Sequence, residues 1–206
     1  MSGLREQFGA IDIYLFDQIL RGNILPGMRL LDAGCGGGRN LAYFLREGYE
    51  VFGLDPDGKA IASVREMAAV LAPALPASNF RVETIEASSY AAASADVVIS
   101  SAVLHFARDD PHFRALLQGS WLALKPGGLF FCRLASSIGM APDQLTPIAG
   151  RRYLLPDGSE RYLVDAAMLD ELTEELGGEY VDPLKTTVVQ NQRCMTTWVL
   201  RRKSLP

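Results

Sequence analysis

Residues 31–40 read LDAGCGGGRN, a short apolar run that leads into a loop rich in glycine. The apolar run continues back to Arg29, which predicts a buried strand that ends at Asp32. Leu41, Phe44 and Leu45 then repeat at helical spacing and predict a helix. A strand, a glycine turn and a helix start together form a place that can hold a nucleotide-like ligand.

The spacing of the glycines indicates which ligand this loop takes. The dinucleotide fingerprint needs glycine at its first, third and sixth places. Counted from Gly34 the sixth place is Arg39, and counted from Gly36 it is Leu41. An acid at Asp32 would repel a pyrophosphate, but it can accept hydrogen bonds from an ammonium group. The pattern that fits is acid-x-Gly-x-Gly-x-Gly, on Asp32, Gly34, Gly36 and Gly38.

Helical and strand-like segments alternate along the chain, which predicts an α/β fold with a mostly parallel sheet between helices. The expected helices are residues 10–21 and those that begin at Asp57, Asp110 and Asp165. Strands are expected at 29–32, 50–54, 79–86, 96–100 and 129–134. Residues 183–190 and 193–201 predict a closing antiparallel hairpin that turns at Asn191.

Residues 136–164 interrupt this alternation. They hold three prolines, three glycines and a turn signature at 156–159. The segment is too long for a plain connection, so we expect a lid or a substrate loop. We expect a single domain over residues 1–206, with residues 1–27 as an N-terminal helical segment.

Composition narrows the class of protein. The chain has 206 residues, 49% of them hydrophobic, and a net charge of −4, which fits one α/β domain and disfavours nucleic acid as a partner. No apolar run is long enough to span a membrane, and the first residues lack the pattern of a signal peptide. Cys35, Cys132 and Cys194 lie far apart, so neither a disulfide framework nor a metal site is expected. We therefore expect a cytoplasmic location and no membrane partner.

The glycine stretch resembles motif I of the class I S-adenosylmethionine-dependent methyltransferases. Asp55 stands where that family's second-strand acid holds the ribose, and Glu86-Ala87 resembles its stretch beside the adenine. Residues 96–106 and 124–128 resemble its fourth strand and its L-K-P-G-G turn. The resemblance covers about residues 28–134. Within the superfamily, Gly38-Arg39-Asn40 and the closing hairpin resemble the small tellurite-resistance type.

This resemblance implies a Rossmann-like three-layer fold, with a seven-stranded mostly parallel sheet whose last strand is antiparallel. It implies S-adenosylmethionine as methyl donor and a small-molecule acceptor that the sequence does not identify. The spacing from Glu86 to Asp96 is one residue shorter than in many relatives, so Thr84 is an alternative register. The implied cofactor-binding residues are Asp32, Ala33, Gly34, Gly36, Asn40, Asp55, Pro56, Glu86, Ala87 and Ser101.

Four further residues are candidates for the acceptor side. His105 follows the fourth strand and could be a general base, a substrate contact or a loop histidine packed on Phe106. Tyr14 could close over the donor or serve packing alone. Arg151 and Arg152 could bind an anionic substrate or form a solvated pair.

Two other functions remain open from the sequence. The chain could bind S-adenosylmethionine without transferring its methyl group, or it could be a nicotinamide-dependent oxidoreductase. His112, in the first turn of a capped helix, is expected to be exposed and without a role. The oligomeric state has no signature in the sequence.

Overall fold

The computed structural model describes residues 3–204, and for Arg5 only the backbone. The first two residues of the predicted segment 1–27 and the last two of the chain lie outside the described residues. The helices are α1 (Leu4–Phe8), α2 (Ile13–Leu20), α3 (Ala42–Arg46), α4 (Gly58–Leu71), α5 (Asp110–Leu122) and α6 (Ala166–Glu175). The first five strands are β1 (Arg29–Ala33), β2 (Glu50–Asp55), β3 (Phe80–Val82), β4 (Ala95–Ser101) and β5 (Leu124–Ala135). The other six are β6 (Thr146–Ala149), β7 (Arg152–Leu154), β8 (Glu160–Tyr162), β9 (Gly178–Tyr180), β10 (Lys185–Val189) and β11 (Arg193–Arg202).

The main sheet has the order β10-β11-β5-β4-β1-β2-β3, with the short strand β9 also paired to β11. Strand β1 is central and runs parallel to β2 and to β4. Strand β11 is antiparallel to both β5 and β10. The predicted Rossmann-like fold, with its antiparallel last strand, is confirmed. The sheet has eight strands where seven were expected, because the short strand β9 adds to β11.

The central strands carry apolar side chains on both faces, and helices cover both faces of the sheet and bury them. Leu30, Val97 and Phe131 point to the face on which α2, α3 and α4 pack. Leu31 and Phe130 point to the opposite face, on which α5 and α6 pack. Each face therefore has its own hydrophobic core, and the carboxyl ends of the parallel strands meet at one edge.

Some element boundaries differ from the sequence-based prediction. Strand β3 is three residues long, because the chain turns at Ile85–Ala87 in one 3₁₀ turn that buries Ile85 in the core with α5. The cap of α5 is Asp109 and not Asp110, since the Asp109 side chain accepts from the His112 N–H. The predicted caps Asp57 and Asp165 are confirmed.

Residues 136–164 form a small folded insertion. Strands β6, β7 and β8 pair as a separate antiparallel sheet, and Ser136 bridges Val164 where the insertion leaves and rejoins the main sheet. Leu155 and Leu163 pack with Ala135 in a third hydrophobic cluster. The segment was expected to be a loop, and it has secondary structure and a core of its own.

The closing hairpin matches the prediction. Strands β10 and β11 are joined through Gln190 and Asn191, which both have positive φ, as a tight hairpin turn requires. Across residues 3–204, the structure contains no helix with the length and apolar character needed to traverse a membrane.

Gly119 in α5 provides a test of the packing between this helix and the Ile85 turn. A Cβ at residue 119 would lie 2.3 Å from the Ile85 carbonyl oxygen. Alanine normally favours a helix over glycine by about 1 kcal/mol, but here the backbone would have to shift. We expect Gly119→Ala to lower the free energy of unfolding by about 1–3 kcal/mol, measured by urea denaturation.

The control for this prediction is Gly58→Ala, at the start of α4. A Cβ at residue 58 has no atom within 4 Å, so the change should stay within about 0.5 kcal/mol. Equal stability of the two variants would show that α5 can move away from the Ile85 turn.

Candidate active site

A cleft of about 630 Å³ lies at the carboxyl ends of the parallel strands, around the glycine loop. Eight of the ten predicted cofactor residues line it: Asp32, Gly34, Gly36, Asn40, Asp55, Pro56, Glu86 and Ser101. Ala33 and Ala87 are adjacent in the chain to lining residues but are not themselves in the wall. Ligands of open α/β sheets bind at this edge.

Strand β2 fixes the backbone of the glycine loop. The Gly34 and Cys35 N–H groups donate to the Leu54 carbonyl at 2.9 and 3.0 Å. The Gly36 N–H donates to Asp55 Oδ2 at 2.9 Å, and Asp55 Oδ1 accepts from Asp57 N–H at 2.9 Å. Each Asp55 oxygen keeps a free lone pair that can accept a further hydrogen bond.

Gly34 and Gly36 differ in what a side chain at each position would contact. Gly34 has φ +85°, and a Cβ there would lie 2.5 Å from a methyl group of Val103. Gly36 has φ +50° and open space where its Cβ would be. Gly34 is therefore needed for close packing beneath the loop, whereas a side chain at Gly36 would enter the cleft.

Asp32 is a buried carboxylate at the base of the cleft. It is 2% exposed, and its side chain makes no hydrogen bond within residues 3–204. Burial raises its pKa to about 7, the nearby Asp55 charge adds to this rise, and Arg39 opposes it. Such a group is suited to accept hydrogen bonds from a cation, which would lower the pKa again.

The turn at Ile85–Ala87 brings Glu86 to the cleft next to a residue that the sequence analysis missed. His112 lines the cleft, with Nε2 3.5 Å from Glu86 Oε1. Its Nδ1 accepts the Arg108 N–H at 3.1 Å, which orients the ring. His112 was expected to be exposed and without a role. The sequence signal for its position is that it stands in the first turn of α5, directly after the loop that follows β4.

A buried ion pair ties the N-terminal segment to the cleft. Asp12 Oδ2 accepts from Arg133 at 2.9 Å and lies 3.9 Å from Arg39. Asp12 also caps α2 through the Tyr14 N–H, and its own N–H donates to Asn40 Oδ1 at 3.0 Å. Asp12 thus links α2, the glycine loop and β5, although no sequence motif marks it.

The candidate acceptor residues lie outside this cleft. The Tyr14 hydroxyl bonds Thr187 at 2.8 Å, with the Arg133 guanidinium 5.6 Å from its ring. Arg151 pairs with Asp165 at 2.8 Å. Arg152 pairs with Glu160 and, together with His105, lines a second cavity that adjoins the cleft.

His105 is 4% exposed. Its Nδ1 accepts the Ala135 N–H at 3.1 Å, so the neutral ring carries its proton on Nε2. Burial lowers the pKa of this ring to about 4, and the charge of Arg161 adds to the effect. At neutral pH the ring is therefore a hydrogen-bond donor.

Metal and thiol chemistry find no support in residues 3–204. No group of three or more His, Cys, Asp or Glu side chains there is placed to hold a metal ion. Cys35 lines the cleft, but burial and the charges of Asp32 and Asp55 raise the pKa of its thiol. The thiol is therefore protonated and unreactive at neutral pH.

Comparison with known proteins identifies relatives of this fold and sequence. A family model described as "Methyltransferase domain" matches residues 31–132. The ubiquinone biosynthesis O-methyltransferase of Methylobacterium nodulans is 34% identical over 176 residues, which cover 81% of this chain and 65% of that protein. The chain thus spans slightly less than two thirds of that relative's length.

Two solved structures share the fold at low sequence identity. The 1,6-didemethyltoxoflavin-N1-methyltransferase of Burkholderia thailandensis, solved with S-adenosylhomocysteine, has a TM-score of 0.69 at 20% identity. The match covers 90% of this chain and 76% of that one. The [4+2]-cyclase SpnF has a TM-score of 0.70 at 17% identity, over 93% and 82% of the two chains. Since one neighbour is named a cyclase, the fold alone does not define the reaction.

The Asp12–Arg133 pair can be tested by removing one partner. Asp12→Ala leaves a mostly buried guanidinium without its carboxylate, so we expect a loss of about 3–5 kcal/mol in unfolding free energy. The double variant Asp12→Ala/Arg133→Met should be less destabilised than the sum of the single changes. Strictly additive urea-unfolding energies would show that the pair is not coupled.

The raised pKa of Asp32 predicts a pH dependence of stability. A carboxyl whose folded pKa lies above its unfolded value binds a proton more tightly when folded, so its contribution is lost as pH rises through the folded pKa. Without ligand, the unfolding free energy of Asp32→Asn, taken relative to that of the unsubstituted protein, should therefore rise between about pH 4 and about pH 7. The slope should be roughly 1.4 kcal/mol per pH unit, and the difference should be constant above about pH 7. Urea unfolding across this range measures it, and a difference that does not change with pH would contradict the assignment.

Proposed function

Since the chain belongs to the class I S-adenosylmethionine-dependent methyltransferase superfamily, we propose that it transfers a methyl group from S-adenosylmethionine to a small-molecule acceptor. The observation that carries the proposal is the cleft around the glycine loop, where three acids meet: Asp32, Asp55 and Glu86. Such a set suits a ligand that offers an ammonium group and hydroxyls, and it opposes one that offers phosphates.

The residues present fit this donor. Asp32 is an unpartnered buried carboxylate, so an ammonium group would supply the missing hydrogen bonds. Asp55 keeps free lone pairs on both oxygens, which suits two adjacent ribose hydroxyls. Glu86, on the Ile85 turn, would lie toward the adenine. The pyrophosphate of a nicotinamide cofactor would instead face all three carboxylates, which disfavours an oxidoreductase.

The chain contributes to the reaction mainly by positioning and by excluding water. When bound, S-adenosylmethionine supplies a methyl carbon whose bond to sulfur breaks with the electron pair left on sulfur. Such a step gains most from orientation of the two reactants. Of the roles open to His105, we propose contact with the acceptor through its Nε2–H, because its other nitrogen is already engaged by Ala135.

We propose that the insertion 136–164 selects the acceptor. Arg152, Glu160 and Tyr162 of this insertion line the second cavity, which adjoins the cleft. The acidic net charge of −4 disfavours a nucleic-acid acceptor. Within the part of the chain that the structure describes, all three cysteines are free and buried, which suits the reducing cytoplasm expected from the sequence.

Thermal unfolding with and without ligand tests the donor. A hundredfold excess of ligand over Kd stabilises the folded state by about 2.7 kcal/mol, which for a chain of this size raises Tm by about 5–10 °C. We expect this rise with S-adenosylmethionine and with S-adenosylhomocysteine, and none with NAD. A rise with NAD alone, or with none of the three, would contradict the proposal.

Two variants show where the ligand binds. Asp55→Asn should reduce the rise in Tm, whereas Asp143→Asn, an exposed acid of the insertion, should leave it unchanged. Release of S-adenosylhomocysteine on incubation with S-adenosylmethionine and cell extract separates methyl transfer from binding alone. Ligand binding without any release would favour the non-catalytic alternative.

A further inference from the structure

The second cavity is placed to hold the methyl acceptor. It measures about 280 Å³ and shares two lining residues, Phe106 and Arg108, with the cofactor cleft. The small sheet of the insertion forms its other wall through Arg152, Glu160 and Tyr162. A molecule in this cavity would therefore lie directly beside the donor.

Two arginines beside this cavity form no ion pair with a carboxylate in residues 3–204. The Arg108 side chain is exposed and makes no ion pair within residues 3–204, and it lines both cavities. The Arg161 guanidinium lies 4.8 Å from the centre of the Phe106 ring and bonds only the Glu160 carbonyl, at 2.7 Å. Arg161 is not itself in either cavity wall, but it lies over Phe106, which lines both. Guanidinium groups without a carboxylate partner are typical of sites that bind carboxylate or phosphate.

The nearby acids are already engaged. Glu160 pairs with Arg152 across the β7–β8 hairpin. Asp109 caps α5, and Asp110 accepts the Tyr162 hydroxyl at 2.9 Å. None of these carboxylates is within ion-pair distance of Arg108 or Arg161, so both guanidinium groups can donate hydrogen bonds to a ligand.

Size and lining restrict the ligand further. Small-molecule sites usually measure about 300–1,000 Å³, so a cavity of about 280 Å³ suits a molecule of one ring. Phe106 is 59% exposed where the two cavities meet, so its ring is accessible to a bound molecule. With the His105 ring 4.6 Å from it, Phe106 gives this wall an aromatic character.

We propose that the acceptor is a single-ring aromatic molecule with a carboxylate or phosphate group, held by Arg108 and Arg161 beside Phe106. This inference rests on the proposed function, because it names the class of molecule that the methyl group reaches. The two guanidinium groups would fix the anionic end, and the nucleophilic atom would face the cofactor cleft.

The test measures binding of matched probes to the protein saturated with S-adenosylhomocysteine, by calorimetry or ligand-observed NMR. The probes are 4-hydroxybenzoate, 4-hydroxyphenyl phosphate and the neutral 4-hydroxybenzamide. We expect at least one anion to bind about tenfold tighter than the amide, as charge-assisted hydrogen bonds imply, and the better anion identifies the group. Arg108→Gln and Arg161→Gln should each remove most of this preference. Arg46→Gln should not, because the Arg46 guanidinium bonds the Gln7 carbonyl and lies neither in a cavity wall nor over Phe106.

The outcomes separate this inference from the proposed function. Equal affinity for anions and amide, absence of binding by all three probes, or an anion preference that survives both substitutions would overturn it. In each of these cases bound S-adenosylhomocysteine would still support the proposed function. Failure of S-adenosylhomocysteine to bind the unsubstituted protein would overturn both. The Arg161→Gln variant should keep the affinity for S-adenosylhomocysteine, which serves as the check that it is folded.

Discussion

The cofactor cleft depends on how strand β2 holds the glycine loop. Three consecutive N–H groups of this loop, from Gly34 to Gly36, donate to the last two residues of β2. Because β1 pairs with β2 in parallel register, the loop must leave the sheet beside Asp55. Asp55 consequently shapes the loop and faces the cleft at once, so its role in structure and its proposed role in binding cannot be separated by position alone.

A second constraint fixes the N-terminal segment beside the glycine loop. Asp12 contacts Asn40 in the glycine loop and Arg133 on β5, which are 28 and 121 residues away in sequence. The Asn40 Oδ1 atom accepts the Asp12 N–H, which leaves its second lone pair and the two amide hydrogens for a ligand. Of residues 3–27, none lines the cleft, but the backbone and carboxylate of Asp12 hold the cleft residue Asn40 and the β5 residue Arg133 in place.

The sequence predicted those features that depend on local pattern. The central strands, the glycine loop, the caps Asp57 and Asp165 and the closing hairpin all follow from short-range spacing. Features that depend on distant contacts were missed: the Asp12–Arg133 pair, the early end of β3 and the position of His112. The strands of the insertion were missed for another reason, because three to four residues are too few to show an alternating pattern.

The charges around the two cavities are divided in a way that bears on the proposed reaction. Three acids and Arg39 line the cleft around the glycine loop, whereas Arg108 lines both cavities and Arg161 lies over Phe106 on the side of the insertion. A cationic donor and an anionic acceptor would each meet opposite charge, so the protein would counter their partial loss of hydration. Because methyl transfer from a cation to an anion neutralises charge, enclosure with little water favours the step itself. This division therefore serves binding and reaction together.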